Sequence, residues 1–322
     1  MCAGLLGAAC TSTAPSSDVT HATTAASPAV STGHDKVAVD RYLTIDALDL
    51  PVDAYVPNRP GPWPVVVAFH GLSAAFKDAA SNTAIAERAA DEGSLVFSPT
   101  WIAGDPYPLD AGDIVDLRHA ASCAVAFAQQ WAAELGGDPT DTVVYGFSAG
   151  AGPALAALVA PTGGVPGCET ESAPLPVTGA VLGDGEYFFQ SQPFDSAFEA
   201  DISVMQSEVA SLTDRGRWPV DLDARVYVWA AESGTAPRPL DDPAAPNWIH
   251  DRDPSGSIVG DLTRVGGLAD GVIDYVDAAR FIDLRLADAG VRTELVVFPG
   301  GHTVDDKVDP LVAAIRSVGA NA

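Results

Sequence analysis

DTVVYGFSAGAGPALAALVA, residues 141–160, sets an apolar run against a Gly-Phe-Ser-Ala-Gly turn and then against an Ala/Leu-rich stretch. The first part reads as a buried strand over 141–147 and the last as a helix over 149–160. Gly146 and Gly150 stand two residues either side of Ser148. A strand that turns straight into a helix leaves little room for a Cβ at those two places, so glycine is expected there for a physical reason. The turn carries the serine at the strand tip, which makes Ser148 the candidate nucleophile. The backbone N–H of Ala149 opens the helix without an intrahelical acceptor and is a candidate donor to a developing negative charge.

Outward from this turn the chain alternates strands and helices. PVVVAFHG (64–71) is a continuous apolar run ending in glycine, as expected of a strand buried on both faces. A helix across 79–91, strand SLVFSPTW (94–101) and a helix across 113–137 precede the serine turn, and strand VTGAVLG (177–183) follows it. Strand ARVYVWAA (224–231), a helix over 275–290, strand TELVVFPG (293–300) and a helix near 309–318 complete the pattern. Before all of these, RYLTIDALDLPVDAYVP (41–57) reads as two short strands around a turn. Such alternation predicts an α/β class protein with a mostly parallel sheet covered on both faces. Two stretches break the rhythm, 184–222 with an amphipathic helix expected over 198–212, and 233–269, rich in Pro, Asp and Gly. Both are expected over the C-terminal ends of the strands, where open α/β sheets place their ligands.

A serine hydroxyl needs an imidazole to take its proton near neutral pH. Of the six histidines, His21 and His34 fall in an N-terminal tract, His119 in a helix and His250 in an irregular stretch. His70 ends an early strand and reads as a structural hydrogen-bonding residue. His302, in VVFPGGHT, follows a buried strand and a Gly-Gly turn and lies after the serine in the chain, so it is the candidate base. The orienting carboxylate is expected between the two, in the order Ser, acid, His. Asp270, just before the 275–290 helix, is favoured by its spacing to His302; Glu232, at the end of ARVYVWAA, is the alternative, and Asp274 a third choice. The second anion-stabilising N–H is expected in the turn after VVVAFHG, from Leu72. Trp101, Tyr107, Tyr187, Phe188, Phe189 and Trp248 fall in loops where they line a pocket or simply pack under the insertions.

Composition limits the remaining classes. A net charge of −26 with 17 Lys+Arg against 43 Asp+Glu repels phosphate backbones and argues against nucleic-acid binding. No apolar run approaches the ~20 residues of a membrane-spanning helix. Residues 1–38 differ from the rest: a short apolar stretch, MCAGLLGAAC, leads into a Ser/Thr/Ala/Pro-rich tract. They are expected to stay out of the fold, leaving 39–322 as one domain with insertions at 184–222 and 233–269. Cys123 and Cys168 lie within that domain and read either as a disulfide or as two buried thiols.

Taken together, VVVAFHG, SLVFSPTW, ELGGDPTDTVVYGFSAG, GVIDYVDAARFIDLRLADAG and ELVVFPGGHT resemble an α/β-hydrolase of the bacterial esterase/lipase kind over roughly residues 45–318. Many such enzymes carry a run of glycines after the histidine that ends the early strand. This chain has HGLSAAF instead, similar to the His-Gly-X form of cutinase-like and dienelactone-hydrolase-like enzymes, with serine where the latter have cysteine. The resemblance implies an eight-stranded, mostly parallel sheet with helices on both faces and insertions over the site. It also implies cleavage of small or polymeric carboxylic esters through an acyl-serine, with no metal or organic cofactor. A peptidase or amidase on the same fold, and an inactive surface-tethered binding protein, are the alternatives. The N-terminal MCAGLLGAAC resembles the end of a bacterial lipoprotein signal with Cys10 as the lipidated residue, although it lacks a basic start. That likeness implies an extracytoplasmic, lipid-anchored protein; an ordinary unfolded N-terminus is the other reading.

Overall fold

The computed structural model describes residues 33–45, 47–71, 76–102, 111–185, 222–232 and 275–319. Its strands are β1 (His34–Ile45), β2 (Leu48–Pro57), β3 (Trp63–Phe69), β4 (Leu95–Pro99), β5 (Gly137–Phe147), β6 (Gly179–Gly183), β7 (Arg225–Glu232) and β8 (Arg292–Pro299). The helices are α1 (Ala80–Asp91), α2 (Ala111–Leu135), α3 (Ala151–Val159), α4 (Tyr275–Asp288) and α5 (Val308–Val318). The strands form one sheet in the order β1-β2-β4-β3-β5-β6-β7-β8. β1 and β2 are antiparallel to their neighbours, and every pairing from β4 onward is parallel.

Side chains along the central strands alternate between two apolar layers, as a pleated strand requires. From β3, Val65, Val67 and Phe69 join the layer under α2, α3 and α4, while Val66 and Ala68 join the layer under α1 and α5. β4 and β6 are buried at every residue, which explains why they read as unbroken apolar runs. Parallel strands joined by helices bring the ends of β3, β5, β6, β7 and β8 to one edge of the sheet. There the two irregular stretches leave it, one past the end of β6 and the other at Glu232. The helix expected over 198–212, most of 184–222 and all of 233–269 lie outside the described residues.

The sheet begins earlier than the sequence predicts. Residues 34–38, expected in the N-terminal tract, belong to β1 and pair with β2 from His34↔Pro57 to Ala38↔Asp53. What holds them is tertiary: Lys36 Nζ lies 2.8 Å from the buried carboxylate of Asp53, and His34 Nδ1 lies 2.9 Å from Asp91 Oδ1. Cys123, on α2, and Cys168 form a disulfide with a Cα–Cα distance of 5.8 Å. The loop that carries Cys168 is also tied to β1, through Thr44 N–H to Gly167 O at 3.0 Å and Glu169 N–H to Tyr42 O at 2.9 Å.

Candidate active site

Ser148 follows the last residue of β5 and has φ of 56°, a left-handed conformation that a serine adopts only when its surroundings impose it. The imposing contacts are with backbone. A Cβ on Gly146 would lie 2.1 Å from Gly150 O, and one on Gly150 would lie 2.3 Å from Phe69 O and 2.5 Å from His70 O. Both glycines are therefore required by the turn and by its close approach to the end of β3. The result is a buried Ser148 whose Oγ lies 2.9 Å from His302 Nε2. His302 is carried by the loop after β8, and its ring stacks on Phe147 at 4.7 Å between centroids.

The carboxylate against His302 is Asp184, in place of the expected Asp270 or Glu232. Asp184 Oδ2 lies 3.0 Å from His302 Nδ1. Glu232 is described and exposed at the end of β7, whereas Asp270 and Asp274 lie outside the described residues. Sheet register explains the placement. Phe147 pairs with Gly183, so the residues one step further, Ser148 and Asp184, emerge side by side from neighbouring strands. Asp184 is fully buried, which demands partners for its oxygens. Oδ1 accepts the backbone N–H of Ala231 and Oδ2 faces His302, while the Asp184 N–H donates to Trp229 O at 3.0 Å. A sequence signal for Asp184 exists in the Gly-Asp-Gly that ends the short buried strand VTGAVLG.

This array fixes the tautomer of the imidazole. A carboxylate only accepts, so Nδ1 carries the proton and Nε2 is the acceptor for the Ser148 hydroxyl. An Oγ held in this way can lose its proton to imidazole as it attacks an electrophilic carbon. Tyr145, fully buried on β5, stays a neutral phenol; burial pushes its pKa well above the ordinary tyrosine value, and the charge of Asp184 adds to that.

The end of β3 supports the other side of the site. Gly71 lies against the nucleophile, since a Cβ on it would stand 3.2 Å from both Phe147 O and Ser148 Cβ. Leu72, the expected oxyanion donor, lies outside the described residues. Ala149 is buried at the start of the helical turn after the serine, where an N–H has no intrahelical acceptor. His70 is structural, as expected: Nδ1 donates to Gly71 O at 2.7 Å, and burial lowers its pKa to about 4 despite that bond. Trp101 packs against it as a buried residue, its ring stacked on the imidazole and its Nε1 donating to His70 O at 2.8 Å. Tyr107, Tyr187, Phe188, Phe189 and Trp248 lie outside the described residues. Lys77 Nζ lies 2.7 Å from Asp53 Oδ2. Among the described residues no group of His, Cys, Asp or Glu side chains could hold a metal ion.

Sheet order, the strained serine turn at the tip of β5 and the histidine loop after β8 define the α/β-hydrolase fold. No protein-family model and no curated protein sequence matches the chain. Solved structures do match. A thermophilic esterase from the Planctomycetes species Thermogutta terrifontis, with propionate bound, aligns at a TM-score of 0.58 and 18% identity, over 88% of this chain and 93% of its own. Esterase 2 of the same organism phosphoramylated by tabun aligns at 0.57 and 18% identity, over 88% of this chain and 93% of its own. Its form phosphorylated by paraoxon gives 0.54 at 18% identity, over 88% of this chain and 91% of its own. At such identities the likeness is one of fold.

Proposed function

We propose that this protein is a serine hydrolase that cleaves carboxylic esters through an acyl-serine intermediate. The observation that carries the reading is the continuous path Ser148 Oγ, His302 Nε2, His302 Nδ1, Asp184 Oδ2, with steps of 2.9 and 3.0 Å. In acylation, Ser148 Oγ attacks the ester carbonyl carbon as its proton passes to Nε2. The tetrahedral oxyanion takes a hydrogen bond from the N–H of Ala149, and Leu72 is the sequence's candidate for the second donor. The carbon–alkoxy bond then breaks, with Nε2–H protonating the departing alcohol. Water attacks the acyl-serine by the same route, and Asp184 holds the imidazole in one tautomer throughout. The ester preference is supported by the structural neighbours, which are esterases with propionate or butyrate bound. The reading also places the domain outside the cytoplasm, and its support is the Cys123–Cys168 disulfide.

The test is labelling of the purified chain by a fluorophosphonate probe together with hydrolysis of p-nitrophenyl esters of graded acyl length. Ser148→Ala is expected to abolish both, a loss on the order of 10⁶ in turnover. Residual activity of even a few per cent in a wild-type-free preparation would remove Ser148 from the mechanism. Faster hydrolysis of p-nitroanilides than of the matching esters would change the reading to an amidase.

A further inference from the structure

Among the described residues, the loop that carries His302 is packed on one side only. Gly300 has φ of 108°, and a Cβ added at Gly300 or Gly301 would meet nothing within 4 Å among the described residues. The approach from β8 is thus exposed, without packing against the described residues, and its two glycines have wide backbone freedom. On the far side of the histidine, Val304 is fully buried and Lys307 is 2% exposed. A buried ammonium is costly unless its donors are satisfied. Lys307 Nζ donates to Thr303 O at 2.9 Å, the carbonyl of the residue directly after His302, and to Asp306 Oδ1 at 2.9 Å. It also lies 6.0 Å from the centre of the Trp229 ring. That ring stacks on Phe147 at 5.9 Å, and Phe147 in turn stacks on His302 at 4.7 Å. The backbone closes the unit: Thr303 N–H donates to Gly301 O, Lys307 N–H to Val304 O, and Leu311 N–H to Lys307 O at the start of α5.

We propose that Lys307 is a positioning residue for the reaction, clamping the carbonyl after His302 so that the imidazole faces Ser148 and Asp184 at once. The proposal rests on the serine-hydrolase reading above. The other two lysines, Lys36 and Lys77, share Asp53 on the opposite half of the sheet and have no part in the clamp. Without the ammonium, the Gly-Gly approach leaves the loop free to shift, and a displacement of about 1 Å in a reacting group costs on the order of 100-fold in rate.

The experiment compares Lys307→Met with the unaltered chain and with Ile315→Val, a packing change in the core layer that also holds Val304. Assays run well below all three melting temperatures. Lys307→Met is expected to lose about ten- to a hundredfold in kcat and in fluorophosphonate labelling rate, with KM within about twofold. Ile315→Val is expected to lower Tm and leave kcat alone. Should Lys307→Met not accumulate, Lys307→Gln replaces it; it keeps a donor without the charge, and an intermediate loss of kcat is expected. Wild-type kcat in a Lys307 variant, with only Tm lowered, would overturn the role of Lys307 while the esterase reading stands. An unaltered chain that neither labels nor hydrolyses esters would overturn both.

Discussion

Replacing Asp184 by asparagine changes one atom of the array and leaves its shape. The two carboxylate oxygens now divide their work between the N–H of Ala231 and His302 Nδ1. An amide offers one oxygen and one NH₂ in the same positions. The Ala231 N–H can only donate, so it selects the amide oxygen, and the NH₂ is left facing His302. Nδ1 must then accept, which moves the proton of the neutral imidazole to Nε2, where it opposes the Ser148 hydroxyl. The histidine is in place yet cannot take the serine proton. Loss of turnover through a wrong tautomer amounts to about 10⁴, or roughly 5.4 kcal/mol at 1.36 kcal/mol per tenfold. Folding should change by no more than about 1 kcal/mol, because the buried N–H remains paired. Asp184→Ala separates the two effects: it strands the Ala231 N–H in the interior and adds about 1–3 kcal/mol of destabilisation. The assay is kcat/KM on a p-nitrophenyl ester beside thermal melts, with Glu232→Gln and Asp270→Asn in parallel, both expected within about threefold of wild type. If Asp184→Asn kept more than a tenth of wild-type kcat/KM while either of the others fell 1000-fold, the assignment of Asp184 would be wrong.

Two further outcomes follow from the fold around the site. Removing the Cys123–Cys168 disulfide, 45 residues apart in sequence, as Cys123→Ala with Cys168→Ala should destabilise by about 4 kcal/mol in the chain-entropy model and leave kcat unchanged at 25 °C. An unaltered Tm would contradict that, and free thiols at both positions in protein from its host would take away the support for an extracytoplasmic site. His70 has a folded pKa of about 4, below the ordinary value of 6.5, so the unfolded chain binds its proton more readily. Its contribution to stability is full above about pH 6.5, declines as pH falls and is gone below about 4, a change on the order of 3 kcal/mol. His70→Asn keeps a donor without a titration, so its urea stability should fall less than wild type between pH 7 and pH 4; parallel declines would refute the assignment.

Much of the architecture was legible because its signals are local. Strands buried on both faces read as unbroken apolar runs, and the edges predicted for β3, β4, β6, β7 and β8 lie within about two residues of those observed. Ser148 and His302 are legible for a related reason: each follows an apolar strand at a glycine turn. Only at Ser148 do backbone contacts demand the glycines, and β8, expected to be buried, is half-buried to exposed along its length. Residues 34–38 were not legible, because the ion pair from Lys36 to Asp53 that holds them joins positions separated in sequence and adjacent only across the β1–β2 ladder. The pairing of Cys123 with Cys168 was open on the same ground, since it depends on where a loop of β1's neighbourhood meets α2.

The acid does not lie where spacing along the chain puts it, because register across the sheet decides its position. Gly183 pairs with both Phe147 and Trp229, so the level of Ser148 on β5 corresponds to Asp184 on β6 and Ala230 on β7. β6 ends there, while β7 and β8 continue paired as far as Glu232↔Pro299. Glu232 thus stands two residues past that level, about 7 Å further along the strand direction at roughly 3.3 Å per residue. The same extension of β7 brings the Ala231 N–H over the end of the shorter strand, where it meets Asp184 Oδ1. A short β6 beside a longer β7 therefore does two things together: it frees a carboxylate at the height of the nucleophile and supplies the backbone donor that lets that carboxylate be buried. The Gly-Asp-Gly at its tip is the local trace of this arrangement, with Gly183 giving up its side-chain space to the Trp229 indole and Asp184 turning at φ of 43°.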